Sequence, residues 1–378
     1  MAPGLDLPEG VRAPVPPRTP WVGDILDSAA WAVAPDLPGA DAEAAEVYGL
    51  EPAHSVIVLM VDGLGMVPLE KRLGYAPTLR NLASSPTRAQ TCSPSTTAAA
   101  LTTFTTGALP GQTSMVGYSV KHGKSSMTLL NFAPEVDPFS WQPVPTKFET
   151  FSDAGLDIQL ITNPKFVGSG LTAAAFRGAK FVGRESLRER FDASLDLVRK
   201  GAAMQVVYWS DIDHVGHHFG PSSPQWSGAL EEFDRELGVF LSRLPANVSV
   251  LMTADHGMVD VEERTDIAEV PALRQDVSMI AGEGRAVHLH ARPGRGRQVV
   301  DAWSDYLGDR AWVVPQAQLP DLIGPGPGVA RVGDAMVLMK DRSVIVDSRT
   351  QSAASIAQQG VHGSLTVEEM EIPVWRLA

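Results

Sequence analysis

The chain has 378 residues, 31 of them Lys or Arg and 44 Asp or Glu, which gives a formal net charge of −13 with histidine neutral. That charge disfavours broad-face binding of duplex nucleic acid, and 44% hydrophobic with 20% charged residues excludes a disordered or fibrous chain. A single cysteine, Cys92, excludes an internal disulfide framework and a Cys-rich zinc module.

The first 25 residues carry six prolines and no continuous apolar stretch, so they are expected to be neither a signal peptide nor an anchor. Residues 1–50 are expected to be a Pro-rich segment lying along the surface of the main domain. Nowhere does the chain approach the roughly 18 uninterrupted apolar residues of a membrane span. The expected setting is cytoplasmic, without a membrane partner.

Residues 55–61 (SVIVLMV), 157–162 (DIQLIT), 204–209 (MQVVYW) and 248–253 (VSVLMT) are apolar almost throughout, the pattern of strands covered on both faces. Helical segments separate them. Residues 98–106 end at Gly107, 146–154 open on the Thr-x-x-Glu box of Thr146 and Glu149, and 185–200 and 224–244 are amphipathic. This alternation predicts an α/β fold, a doubly wound, mostly parallel sheet with helices on both faces. Residues 264–340, with strands at 285–290, 311–315 and 335–339 and a helix at 296–307, read as a small inserted α/β lobe. The catalytic domain is then 51–263 with 341–378.

In open α/β sheets ligands gather at the carboxyl ends of strands. Asp62 follows the run 55–61 and precedes Gly63. Asp213 and His217 follow 204–209 in DIDHVGHHFGP, where they share a helical face or converge from a loop. Asp255 and His256 follow 248–253 in TADHGMVD, and His362 stands between glycines in GVHGS. Taken singly, each has an ordinary reading: Asp62 as a helix cap, His214, His217 and His218 as solvated surface, His362 as a loop residue. Together, three carboxylates and three imidazoles supply two metal ions in a hydrolytic site with three protein ligands each, leaving positions open for water and substrate. His288 and His290, alternating on a lobe strand without an acidic partner, are assigned to structure or to the lobe surface.

The nucleophile candidate lies in CSPSTTAAALTTFTTG, where Thr97 sits near a helix N-terminus whose free N–H groups and dipole favour an anion. A threonine hydroxyl is a poor nucleophile near neutrality unless a divalent metal lowers its pKa. Without metal ligands around them, Ser95, Thr96 and Thr97 would read as helix caps.

The motifs VDGLG, PSTTAAALTTFTTG, DIDHVGHHFGP, TADHGM and GVHG, in this order, resemble the alkaline phosphatase superfamily, specifically its nucleotide pyrophosphatase/phosphodiesterase branch. The resemblance implies two zinc ions, one held by Asp213, His217 and His362, the other by Asp62, Asp255 and His256 together with the Oγ of Thr97. It selects Thr97 over Thr96 as nucleophile. Zinc is preferred over manganese because three imidazoles suit it. The branch commonly carries an Asn three residues after the nucleophile, where Ala100 stands here. Tyr118 or Asn131 is expected to supply the missing donor, unless backbone and metals suffice. The leaving-group pocket is expected from residues 111–144 and the lobe.

The expected function is a metal-dependent hydrolase that cleaves phosphodiester or nucleotide pyrophosphate bonds of a small-molecule phosphate ester through a phospho-threonine intermediate. No arginine near Thr97 stands ready to clamp a dianionic monoester. The alternatives are a phosphonate or phosphomonoester hydrolase on the same site, and a catalytically inactive metal-binding protein of the same fold.

Overall fold

A computed structural model of the chain describes residues 6–9, 11 and 20–378. The four apolar runs form the strands Ser55–Val61, Ile158–Thr162, Met204–Trp209 and Val248–Thr253. Every residue of Ser55–Val61 and of Val248–Thr253 is buried, so the sheet is covered on both faces. They pair in parallel in the order Val248–Thr253, Ser55–Val61, Met204–Trp209, Ile158–Thr162, and Lys180–Gly183 extends one edge. At the other edge Glu371–Arg376 runs antiparallel to Val248–Thr253, and Thr87–Gln90 completes a seven-stranded sheet. The three edge strands mix polar with apolar residues and give no continuous apolar run.

Thr97–Thr106 ends at Gly107, whose φ of 68° is the left-handed conformation that glycine tolerates best. Lys147–Asp153 is opened by the capping box of Thr146 and Glu149. Leu187–Arg199 and Pro224–Leu241 bury their apolar stripes in the main core, through Phe191, Trp226, Phe233 and Phe240 among others.

The surface reading of residues 1–50 needs correction. Residues 1–5, 10 and 12–19 lie outside the described part, but Val22, Ile25, Leu26, Ala29 and Ala30 are fully buried in the main core. Prolines crowd the chain up to Pro20, but beyond it Ile25–Val33 is a helix with an apolar stripe, so residues 1–50 are not one Pro-rich segment.

The lobe is a four-stranded antiparallel sheet in the order Val277–Glu283, Ala286–Ala291, Ala335–Met339, Ala311–Pro315. Its residues alternate between two cores. Val287, Leu289, Val337 and Met339 pack against Val299 and Trp303 of the helix Gly296–Leu307. Ala286, Met336 and Leu338 instead face Met115, Val116 and Val120 of the main domain. At the junction Glu263–Asp266 pairs in parallel with Ser343–Val346, so strands at the two ends of the lobe also join the two parts. Among the described residues no helix is long and apolar enough to cross a membrane.

Candidate metal centre

Parallel pairing delivers the acids to one edge. Val61 lies beside Trp209 and Met60 beside Thr253, so the turns that follow these three strands emerge together. The chain turns sharply at Gly63, whose φ is 72°, and a Cβ there would meet Cβ of Asp213 at 2.9 Å. The turns carrying Asp62 and Asp255 touch backbone to backbone: a Cβ on Gly65 would lie 2.4 Å from Cα of Gly257.

Asp213 and His217 stand one turn apart on the helix Asp211–Phe219, so the loop alternative does not form; Oδ2 of Asp213 is 3.3 Å from Nε2 of His217. His362 is brought in by the pairing of Gly363 with Ser95, and its Nε2 is 3.7 Å from Oδ1 of Asp213. Nε2 of His256 lies 3.5 Å from Oδ1 of Asp62 and 3.4 Å from Oδ2 of Asp255. Two groups result, Asp213 with His217 and His362, and Asp62 with Asp255 and His256, each with ligand atoms within 4.8 Å of one another. The rings of His256 and His362 stack at 3.7 Å between them.

The hydrogen bonds show what these atoms are free to do. Each histidine contacts a carbonyl oxygen through Nδ1: His217 with Gly360 at 2.8 Å, His256 with Gly257 at 3.1 Å, His362 with Ser95 at 2.9 Å. A carbonyl can only accept, so Nδ1 carries a proton and Nε2 is the nitrogen left facing the cluster as a ligand atom. Among the carboxylates, Oδ2 of Asp62 accepts the Tyr208 hydroxyl, and Oδ1 of Asp255 accepts the amides of Gly63 and His256 at 3.1 and 3.0 Å. The remaining oxygens, Oδ1 of Asp62 and Oδ2 of Asp255, and Oδ1 of Asp213, are buried without a hydrogen-bond partner.

Unpartnered buried oxygens are costly. Burial, followed by the neighbouring Asp255 and Asp213 charges, drives the Asp62 carboxyl well above its ordinary range, and burial raises Asp255. Burial together with His256 and His217 pushes His362 well below the usual imidazole value. A hard or borderline divalent cation in each group would satisfy the orphaned oxygens and neutral imidazoles at once, so the donor set fits two metals.

Thr97 is the first residue of its helix, and its Oγ1 is 3.1 Å from Nε2 of His256. Thr96 does not cap that helix with its side chain; its hydroxyl donates instead to Oε2 of Glu283 at 3.0 Å. The first-turn amides therefore receive no cap from Thr96 and favour an anion beside Thr97. Cys92 is no rival nucleophile, since burial pushes its thiol up to about 12.

Ala100 is fully buried against Cys92 and Ala99, so a side chain at that position would point into packing and not toward a ligand. Tyr118 and Asn131 both reach the site, on different sides. Tyr118 lines a cavity of about 470 Å³ with Thr97, Asp213, His217 and His362. Asn131 lines a second, of about 630 Å³, with Thr97, Asp62 and Tyr208.

Two residues near the cluster escaped the sequence reading. Tyr208 lies inside an apolar run, where a tyrosine next to a strand end was the only signal. Glu283 comes from the lobe; burial pushes its carboxyl up to about 8, and its Oε2 is 3.9 Å from Nδ1 of His362. Nothing in the sequence links it to residues 62, 213 or 255. His288 and His290 are both buried and lie apart from either ligand group.

The sequence model of the family described as type I phosphodiesterase / nucleotide pyrophosphatase matches residues 56–365. The chain belongs to that family. Human ectonucleotide pyrophosphatase/phosphodiesterase family member 5 is 26% identical over 102 residues, 26% of this chain and 21% of that protein. Human family member 7 is 30% identical over 84 residues, 21% of this chain and 17% of that protein. The matched stretches thus span about a fifth of these curated relatives' lengths.

Among solved structures, murine ectonucleotide pyrophosphatase / phosphodiesterase 5 superposes with a TM-score of 0.66 at 17% identity, covering 85% of this chain and 87% of that one. Phosphonoacetate hydrolase from Sinorhizobium meliloti, in complex with phosphonoformate, superposes with a TM-score of 0.66 at 18% identity, covering 85% and 89%. Both share the fold of this family member.

Proposed function

We propose that this chain is a two-metal phosphodiesterase that transfers a phosphoryl group to Thr97 and then to water. The observation that carries the reading is the single threonine hydroxyl placed beside one complete set of Asp and His donors, 3.1 Å from Nε2 of His256, with a second set sharing the same cleft. An inactive threonine-to-alanine form of the murine structural neighbour, in complex with AMP, supports a threonine in that role.

Two divalent cations held there, zinc by preference for three imidazoles, would lower the pKa of the threonine hydroxyl, stabilise the departing oxygen and offset three carboxylates. The chain's own residues do the rest. The helix N-terminus beside Thr97 stabilises the phosphoryl oxygens, and Tyr118, on the wall of the smaller cavity, would supply a donor to one of them. The hydroxyl oxygen of Thr97 attacks phosphorus, the bond to the leaving alcohol breaks, and water then cleaves the phospho-threonine. The Nδ1–carbonyl bonds of the three histidines hold their rings in one tautomer throughout.

A second reading, phosphonate hydrolysis, rests on Lys165, which lines the larger cavity and offers a cation to a substrate carboxylate. Steady-state assays on an aryl phosphodiester, a phosphomonoester and phosphonoacetate, each with and without chelator, separate the readings. Chelator-sensitive turnover fastest on the diester supports the proposal. Turnover fastest on phosphonoacetate supports the second reading, and metal binding without turnover of any ester supports an inactive metal-binding protein.

A further inference from the structure

The two cavities that meet at Thr97 differ in charge. The smaller holds all three members of the Asp213, His217 and His362 set; because Thr97 attacks from beside His256, an in-line displacement sends the leaving group toward this other set, so this inference rests on the proposed reaction. Its far wall is the lobe strand ending at Glu283, together with the segment containing Gln351, Ser355 and Gln358. Among the described residues no lysine or arginine lines it, and apart from Asp213 its only carboxyl is that of Glu283. The larger cavity, in contrast, carries Lys165 beside Phe166 and Phe176.

Glu283 is held as a wall element and not as a mobile side chain. Its Oε2 accepts from Thr96, and the carbonyl of the preceding Gly282 accepts the hydroxyl of Ser119 at 2.8 Å. A Cβ on Gly282 would lie 2.1 Å from the carbonyl of Ala286, so the strand end cannot shift easily. The other oxygen, Oε1, is buried and has no partner. A phosphate placed in this cavity would find no lysine or arginine among the described residues to pair with it.

We infer that the smaller cavity selects phosphodiesters whose leaving group is an uncharged, hydroxyl-bearing alcohol, and discriminates against nucleotide pyrophosphates, whose leaving group is itself a phosphate. The alcohol's hydroxyls meet the amide and hydroxyl groups of Gln351, Ser355 and Gln358 on that wall. The inference sets this chain's preference within a family whose name covers both bond types.

The test compares two esters of the same nucleoside monophosphate, one with glycerol as leaving group and one with pyrophosphate, on the metal-loaded full chain. Intrinsic reactivity cancels when the ratio of kcat/KM values is compared between wild type and variants. Ser355→Lys and Gln358→Lys each add a cation to the cavity wall, the first at an exposed position that leaves packing untouched. Expected is a wild-type preference for the glycerol ester of about tenfold or more, which narrows at least about threefold in the lysine variants. Equal use of both esters by the wild type, or a ratio unmoved by both lysines, overturns the inference while leaving the phosphodiesterase reading intact. No turnover of either ester overturns both.

Discussion

The guanidinium of Arg285 meets the carboxylate of Glu369 through two bonds, Nε to Oε1 at 2.7 Å and Nη2 to Oε2 at 2.8 Å, with both side chains wholly buried. The pair ties the lobe to the metal centre. Arg285 also donates to the carbonyls of Met339 and Ser343, while Oε1 of Glu369 accepts the amide of Ser364, two residues beyond His362. The backbone carbonyl of Glu369 accepts the amide of Gly257, next to His256. One ion pair therefore positions lobe strands and two metal-ligand turns together.

Arg285→Met should leave Glu369 as a buried charge without its cation and destabilise the fold by about 3–5 kcal/mol, because breaking one side of a buried pair costs more than the pair itself contributes. The same variant should release metal to chelator more readily, since the turns of His256 and His362 lose their common anchor. Thermal unfolding and chelator titration check both. A loss below about 1 kcal/mol with unchanged metal retention would show that the pair does not hold the site.

Thr97→Ala is expected to lower kcat by at least about a thousandfold, as removal of a nucleophile does when the rest of the site is intact, while metal content and Tm stay near wild type. Thr96→Ala removes only the bond to Glu283 and should cost far less. Turnover measured together with metal content distinguishes the two threonines; comparable losses in both variants would argue against Thr97 as the attacking group.

The legible parts of this molecule are those whose physics is local. Nearly unbroken apolar runs mark the four central strands, Gly107 and the Thr146 box mark helix ends, and Asp62 directly after one run and Asp255 two residues after another mark the sheet edge where ligands gather. The helical spacing of Asp213 and His217 was compatible with helix or loop, and only tertiary packing against Gly63 and the His362 turn decides it. Glu283 and the Arg285–Glu369 pair were illegible because each joins segments about 80 to 190 residues apart through contacts that leave no periodic trace.

His362→Ala should lower bound metal from about two per chain to about one, since it removes one of three protein donors from a single group. The remaining ion would stay with Asp62, Asp255 and His256. Native mass spectrometry after dialysis reads the count directly, and a stoichiometry of two in the variant would refute the grouping. Because metal binds only the folded chain, stripping it from the wild type should also lower Tm in a concentration-dependent way.

The lobe should fail first in acid. Burial, aided by the neighbouring His290, drives His288 down from 6.5 to about 3, and the ring is held neutral between Gly117 and Gly282 with its Nε2 3.1 Å from the carbonyl of Val116. The unfolded chain binds a proton at this histidine below about pH 6.5 and the folded chain does not until about pH 3, so stability rises with pH across that window and is lost on acidification. One group shifted this far contributes a loss of about 2 kcal/mol between pH 7 and pH 5. His288→Gln keeps a donor for Val116 but cannot titrate. Its unfolding free energy should therefore fall less than the wild type's over the same interval, by about that amount, in urea titrations at the two pH values. Parallel curves for the two proteins would show that His288 is not the acid-sensitive group.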